Sequence, residues 1–291
     1  MPTVTESISI ITNMLTSKRG LSDCLVLGLV FGLLGAARGE HPASFEPSAH
    51  DVAIDDDVEY RTADGERGEQ VALRLDVYAR RDDQAMDRPV ILLLHGGSFL
   101  PAFDKRQPHL VGLAKEFARR GWVVVAPDYR TRDQPLDDPM GTLRDAVDDC
   151  RAAFEWVRKN AATRKVDPDR IAVVGSSAGG MVGASLVGLE NTTARRCGGA
   201  GVFASINLWG SPVSAFRLCN FDADYPPTLI IHGTADAVVP FANAEAFVTD
   251  LQKAGVDAEL LALADAPHTP VAHAEEIVAH VQEFLTKRLP P

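Results

Sequence analysis

The stretch Ile171–Gly180, IAVVGSSAGG, combines a run of apolar residues with two adjacent serines among glycines. Only Ser177 has glycines both two positions before it and two positions after it, at Gly175 and Gly179, and so fits the pattern G-x-S-x-G. In that pattern a sharp strand-to-helix turn presents the serine hydroxyl, and the two glycine positions accept only small residues. Centring the pattern on Ser176 would put a strand valine at one of these tight positions. We therefore predict that Ser177 is a nucleophile.

A serine hydroxyl is a weak nucleophile and needs a base. His268, in the segment ADAPHTP, follows the last predicted strand and is our candidate for that base. His273 and His280 fall within the final helical pattern, and His232 lies at a strand end, where a structural role is favoured. The imidazole also needs an acid that fixes its tautomer and stabilises its charged form. Asp236, which comes directly after a buried strand, is our candidate for that acid.

The three candidates occur in the chain order Ser177, Asp236, His268, and each follows a predicted strand. In a sheet of parallel strands the carboxyl ends lie at one edge, where ligands bind. The order and the placement together predict a Ser–Asp–His triad. A phosphate-binding loop is the weaker interpretation, because no lysine follows the glycines of the elbow.

Acyl transfer through a serine also needs N–H donors for the negative oxygen of the tetrahedral intermediate. Ala178, the residue after the nucleophile, would supply one backbone N–H. The second donor is expected from the turn HGGSF at residues 95–99, which follows an apolar strand. Gly97 is the first choice, with Gly96 and Ser98 as alternatives, because glycine lets the backbone approach a substrate closely. The competing interpretation is a plain strand-ending turn.

These residues must be positioned by an alternation of strands and helices along the chain. Most of the strand segments are continuously apolar, whereas Val71–Arg80 alternates and is predicted to be a half-exposed edge strand. Such repetition predicts one α/β domain with a mostly parallel central sheet, helices on both faces and little or no cap domain. We expect strands at 71–80, 89–97, 122–130, 170–177, 201–210, 227–233 and 258–264, helices at 110–121, 140–162, 179–189, 241–255 and 275–289, and a loose lead-in at 40–56.

Composition restricts the class of partner. The 291 residues carry a formal net charge of −11, and 46% of them are hydrophobic. Nucleic acid is excluded as a partner because phosphate binding requires clustered lysine and arginine, which the sequence does not show. No CxxC or HExxH spacing occurs, so neither a structural nor a catalytic metal is predicted.

The N-terminus has the features of a targeting segment. Lys18 and Arg19 precede the apolar stretch 24–37, and small residues then allow cleavage near Gly39. The expected organisation is a signal peptide at 1–39 and a hydrolase domain at 40–291, with a secreted or periplasmic product and no stable membrane association after cleavage. Met14 is an alternative start, and an uncleaved anchor is the alternative to secretion.

Cleavage at that point would leave three cysteines in an oxidising compartment. Of these, Cys150 falls within a helical pattern, so Cys197 with Cys219 is the preferred disulfide.

Taken together, the motifs LLLHGGSF, GWVVVAPDYR, DPDRIAVVGSSAGG, LIIHGTADAVVP and APH resemble those of the α/β-hydrolase superfamily, in its esterase/lipase branch with an HGG-type oxyanion loop. The resemblance covers roughly residues 70–288. It implies hydrolysis of carboxylic esters through an acyl-enzyme, with Ser177, His268 and Asp236 as the triad and no cofactor. The chain departs from the fuller HGGG motif, because Ser98 stands at its last position, and large N-terminal cap helices are absent from the pattern.

The short segment between the strands near Trp209 and Leu229 predicts an open site suited to short acyl groups. The expected substrates are therefore acetyl or aryl esters, either small molecules or esters linked to a polysaccharide. Two alternatives stay open. One is a serine peptidase of the prolyl-oligopeptidase type, and the other is a catalytically silent binding protein with a hydrolase fold.

Overall fold

The computed structural model describes residues 51–197, 201–212 and 217–290, with the side chains of 193–197 outside the description. The predicted signal peptide and the first part of the lead-in lie outside these residues. Among the described helices, none has the length and apolar character needed to cross a bilayer.

The described residues form a single sheet of eight strands, namely β1 (Val52–Asp64), β2 (Gln70–Arg80), β3 (Arg88–Leu94), β4 (Val123–Pro127), β5 (Val166–Ser176), β6 (Ala204–Leu208), β7 (Thr228–Gly233) and β8 (Ala258–Leu263). Their order in the sheet is β1-β2-β4-β3-β5-β6-β7-β8. β2 is antiparallel to both of its neighbours, and all six strands from β3 to β8 run parallel to one another. The predicted α/β fold class with a mostly parallel sheet is confirmed.

Helices cover both faces of this sheet because side chains alternate along each strand. From β3, Leu92 and Leu94 pack with the helices of one face, and Ile91 and Leu93 pack with those of the other. The first face carries α2 (Pro139–Lys159), α4 (Ala178–Cys197) and α5 (Phe241–Lys253), and the second carries α1 (Pro108–Arg119) and α6 (Ala274–Arg288); a short α3 (Ala161–Arg164) follows α2.

The sequence prediction missed β1. The lead-in predicted at 40–56 overlaps this strand, which begins at Val52 and pairs with β2. As a consequence, β2 is not the edge strand that its alternation indicated, because β1 covers it. β1 carries an exposed acidic run and two register irregularities, so it lacks the apolar alternation by which strands are recognised.

Two predicted helices have different ends in the structure. The helix predicted at 140–162 is interrupted at Asn160, whose backbone and side-chain nitrogens both donate to the carbonyl of Trp156. α4 continues beyond the predicted 179–189 to Cys197. The described part of the segment between β6 and β7 contains no helix or strand, in agreement with a small or absent cap.

The preferred disulfide does not form in the structure. Cys219 is a free thiol that lies against Gly188 of α4, where an added Cβ would be 2.4 Å from the sulfur atom. Cys197 is nine residues further along the same helix, which at a rise of about 1.5 Å per residue is about 13 Å away. That separation exceeds the span of a disulfide. The side chain of Cys197 lies outside the description.

Candidate active site

The turn between β5 and α4 has the geometry that the glycine spacing predicted. Ser177 lies between the two elements with φ of +53°, a left-handed conformation that is uncommon for a residue with a side chain. A Cβ added at Gly175 would lie 2.2 Å from the carbonyl oxygen of Gly179, and one added at Gly179 would lie 2.4 Å from the carbonyl oxygens of Leu94 and His95. The elbow therefore requires glycine at both positions.

The two adjacent serines have different surroundings. The Oγ of Ser177 lies 2.9 Å from Nε2 of His268, whereas Ser176 is buried at the end of β5. The Oγ of Ser176 lies 3.4 Å from Nε2 of His109, a residue of α1. Only Ser177 therefore has its hydroxyl in contact with the predicted base.

The structure brings the three predicted triad residues together. Nδ1 of His268 lies 2.7 Å from Oδ2 of Asp236. Because the carboxylate is an acceptor, Nδ1 carries the hydrogen, and Nε2 is free to accept the hydroxyl proton of Ser177. The rival histidines lie elsewhere, since Nδ1 of His273 and Nδ1 of His280 bond to Glu276.

Asp236 is held as a buried anion by four hydrogen bonds. Its Oδ1 accepts from the backbone N–H groups of Val238 and Val239, both at 2.8 Å. Its Oδ2 accepts from His268 and also lies 3.0 Å from Nε2 of His232, which donates to the carbonyl of Val239 as well. Burial alone would raise the pKa of Asp236, but the hydrogen bonds from His232 and His268 outweigh it and hold that pKa well below its usual range.

His232 thus acts on the predicted site, although the sequence indicated only a structural role. Its ring is fully buried at the end of β7, and it orients the carboxylate that orients His268. In the sequence, the contact between His232 and Asp236 was indicated only by their separation of four residues.

The loop after β3 lies directly against the elbow. A Cβ added at Gly96 would be 2.9 Å from the carbonyl oxygen of Ser176. Gly97 has φ of +110°, and the next two residues, Ser98 and Phe99, have φ of +55° and +61°. Left-handed residues of this kind persist only where the surrounding structure holds them.

The N–H groups of Gly97, Ser98 and Ala178 are available as oxyanion donors. Among the described residues, none of the three donates to a protein acceptor. The N–H of Gly96 likewise donates to no protein acceptor within the described part of the chain. The carbonyl of Gly96 accepts from Nδ1 of its neighbour His95 at 2.8 Å and from Nε2 of Gln107 at 3.0 Å.

A buried charge cluster anchors the far end of this loop. The ammonium group of Lys105 lies 2.7 Å from Asp128, 3.1 Å from Asp57 and 3.7 Å from Asp76. These carboxylates belong to β1, to β2 and to the end of β4, so one side chain ties the loop to three elements. Burial alone would lower the pKa of Lys105, but its hydrogen bond to Asp128 and the surrounding carboxylates raise it.

Sequence reasoning did not identify Lys105 or His109. Lys105 lies in a loop without periodicity, and its partners are 48, 29 and 23 residues away along the chain. His109 begins an amphipathic helix and gave no motif. Burial and the nearby His268 lower the pKa of His109 to about 4, so its ring is neutral where the triad operates.

Comparisons with known protein families give two matches. Residues 75–205 match the BD-FAE family model, and residues 210–290 match the model of the prolyl oligopeptidase family.

Curated relatives are similar over most of this chain. The chain is 28% identical to a probable carboxylic ester hydrolase, LipM, of Mycobacterium tuberculosis, over 85% of this chain and 66% of the relative. It is 27% identical to a probable isoprenylcysteine alpha-carbonyl methylesterase, ICMEL1, of Oryza sativa subsp. japonica, over 69% of this chain and 55% of the relative. The chain therefore spans about half to two thirds of the length of these relatives.

Solved structures with similar folds include esterase 2 of Thermogutta terrifontis. A form phosphorylated by paraoxon is 27% identical, with a TM-score of 0.62 over 82% of this chain and 96% of that one. A butyrate-bound form is 26% identical, with a TM-score of 0.61 over 80% of this chain and 96% of that one.

Proposed function

Since the chain belongs to the α/β-hydrolase superfamily, we propose that it is a serine hydrolase that cleaves carboxylic esters. One observation carries the proposal above the others. A continuous chain of hydrogen bonds runs from Oγ of Ser177 through His268 to Asp236, with distances of 2.9 and 2.7 Å. This arrangement matches the requirements of a nucleophile, a general base and an orienting acid.

In the proposed reaction, Oγ of Ser177 attacks the ester carbonyl while Nε2 of His268 accepts the hydroxyl proton. The carboxylate of Asp236 holds the tautomer of His268 and stabilises the imidazolium that forms. The oxygen of the tetrahedral intermediate accepts from the N–H of Ala178 and from the Gly96–Ser98 loop, for which Gly97 is the first candidate.

Collapse of the intermediate expels the alcohol, which takes its proton from His268. A water molecule then gives its proton to His268 and attacks the acyl-enzyme. The acid is released, and Ser177 regains its hydroxyl hydrogen.

Short acyl groups are the proposed substrates. The described part of the segment between β6 and β7 adds no helix above the site. The similar esterase from Thermogutta terrifontis has been solved with propionate and with butyrate bound. Acetyl and aryl esters, free or linked to a polysaccharide, fit an open site of this kind. Secretion after cleavage near Gly39 is also proposed, and N-terminal sequencing of exported protein tests it.

Replacement of the two serines tests the proposed activity. Ser177→Ala is expected to lower kcat for 4-nitrophenyl acetate by about 10⁶-fold, in line with the loss of a triad nucleophile. Ser176→Ala is the matched control and should stay within a few-fold of the wild type, because its hydroxyl contacts His109 rather than His268. Loss of activity in Ser176→Ala, with retention in Ser177→Ala, would contradict the assignment.

A peptidase is the second candidate, because residues 210–290 match the prolyl oligopeptidase family. Paired ester and amide substrates with the same acyl group separate the two activities, since an esterase will cleave only the ester at a useful rate. A fluorophosphonate probe addresses a silent binding protein. Labelling at Ser177 requires an activated nucleophile, so unlabelled folded protein would favour binding without catalysis.

A further inference from the structure

A groove of about 490 Å³ lies between α1 and the beginning of α6, outside the triad itself. One wall is a stripe of α1 whose residues recur at helical spacing, as expected for one face of a helix. The other wall is formed by the loop after His268 and the first turns of α6. The lining residues that matter below are Val111, Lys115, Arg119, Trp209, Pro270 and Val271.

The groove begins beside the proposed triad. Thr269 and Pro270, which line it, directly follow His268 in the chain. His109 also lines it, and Nε2 of that residue lies 3.4 Å from Oγ of Ser176, the neighbour of the nucleophile. The groove therefore adjoins the segment that follows His268 and the side of the elbow that carries Ser176.

The position of the groove determines which part of an ester it receives. His268 gives its proton to the leaving oxygen, so the alcohol part of the substrate lies on the side of His268. The acyl part and the oxyanion lie toward the loop that contains Gly97. The groove is consequently placed for the alcohol.

Apolar side chains dominate the groove near the triad. Val111 is partly exposed and Val271 is 48% exposed, which is high for a large apolar side chain. Trp209 and Pro270 lie beneath them as buried residues, and the ring centroid of Trp209 is 6.2 Å from that of His109. The exposed surface of Val111 and Val271 suits an aromatic group of the alcohol.

The far end of the groove is cationic in a strongly acidic protein. The whole chain has 40 acidic and 29 basic residues, yet the described lining of the groove contains Lys115 and Arg119 and no carboxylate. Glu116 binds Arg119 and Arg120. Lys115 has no acidic partner among the described residues. It follows His109 by six residues of α1, which at about 1.5 Å per residue is about 9 Å along the helix axis.

We propose that this groove binds the alcohol part of the substrate, and that the preferred alcohol is aromatic with an anionic group placed to meet Lys115, which lies about 9 Å along α1 from His109. The inference rests on the proposed esterase function and adds a substrate class to it. A neutral aryl ester fills only the apolar part of the groove, whereas the anionic ester also gains the charge interaction.

The test compares 3-(4-acetoxyphenyl)propanoate with its N-methylamide, which has nearly the same shape without the charge. The wild type is expected to show a kcat/KM about ten-fold higher for the carboxylate at low ionic strength, a preference that salt reduces. Lys115→Gln should bring the ratio close to one. Lys253→Gln, an exposed lysine at the end of α5 with the same change in charge, is the control and should keep the wild-type ratio.

A second pair places the charge on the acyl side, as 4-nitrophenyl hydrogen glutarate and its N-methylamide. The proposal predicts that Lys115→Gln leaves the ratio for this pair unchanged. It is overturned if the acyl-side pair, and not the alcohol-side pair, responds to Lys115→Gln, or if the wild type shows no preference within the alcohol-side pair. Failure of the esterase function itself has a different result, namely no turnover of any of the four esters and no fluorophosphonate labelling of Ser177.

Discussion

Replacement of Lys105 by methionine tests whether the charge cluster holds the loop beside the elbow. The side chain of Lys105 is 4% exposed, and that of its partner Asp76 is 3% exposed. Methionine has a similar length but no charge, so Lys105→Met leaves the carboxylate of Asp76 buried without its ammonium partner. Removing one member of a buried pair costs about 3–5 kcal/mol.

The lower end of that range is expected here. Nε of Arg106 lies 3.5 Å from Oδ2 of Asp76 and will compensate part of its charge. A loss of about 3 kcal/mol, at roughly 2–4 °C per kcal/mol for a domain of this size, lowers Tm by about 6–12 °C. The double variant Lys105→Met/Asp76→Asn should recover part of this loss, because the carboxylate is then no longer ionised.

Activity should fall as well, at temperatures where the variant is folded. Ser98 and Phe99 hold left-handed conformations that cost about 1–3 kcal/mol each, and a loop released from Lys105 will relax away from them. An oxyanion hole acts mainly in the transition state, so kcat for 4-nitrophenyl acetate should decrease by about 10- to 100-fold with a smaller change in KM.

Urea denaturation followed by circular dichroism, together with steady-state kinetics, measures both effects. Lys287→Met is the matched control, because its ion pair with Glu283 is exposed and surface pairs contribute about 0–1 kcal/mol. If Lys105→Met loses no more stability than this control, or if kcat is unchanged in the folded variant, then the cluster does not position the loop.

Three further changes test other parts of the site. Asp236→Asn should lower kcat for 4-nitrophenyl acetate by about 10⁴-fold, because the amide no longer fixes the productive tautomer of His268; a loss below ten-fold would contradict this role. Gly179→Ala should destabilise the fold by about 1–3 kcal/mol or more in urea titrations, since the new Cβ would lie 2.4 Å from the carbonyl oxygen of Leu94; unchanged stability would contradict the packing of the elbow. The wild type should lose up to about 3 kcal/mol as the pH falls from 6.5 to about 4, because the unfolded chain then takes up a proton that His109 in the folded chain does not. His109→Gln should reduce the shift of the urea midpoints over that range without abolishing it, because burial lowers the pKa of His95 as well. An unchanged pH dependence would show that His109 does not contribute.

The elbow and the triad were predictable from the sequence because their determinants are local. The glycine spacing around Ser177 is fixed by contacts within one turn, and Asp236 and His268 each follow a continuous apolar strand. A strand of that kind can be recognised without its neighbours, and the parallel sheet then brings the strand ends together. The chain order Ser177, Asp236, His268 then indicates which residue is the nucleophile, which the acid and which the base.

The missed elements depend on contacts distant in sequence. β1 carries the acidic run Asp55–Asp57, which in the sequence is typical of a loop. In the structure, the carboxylate of Asp57 forms an ion pair with Lys105. The role of Lys105 follows only from three carboxylates on other elements. The preferred pairing of Cys197 with Cys219 was wrong. The sequence does not show that Cys219 packs against Gly188, nine residues before Cys197 on α4.

Local backbone packing and long-range charge interactions hold different parts of the site. The nucleophile is held by backbone packed against backbone, since Gly175 and Gly179 leave no room for a side chain. The oxyanion loop is held by side-chain charges, with Lys105 between carboxylates of β1 and β2. Backbone packing in a core is insensitive to ionic conditions, whereas a charge cluster responds to the protonation of its members. We consequently expect ionic strength to affect the geometry of the loop more than that of the elbow.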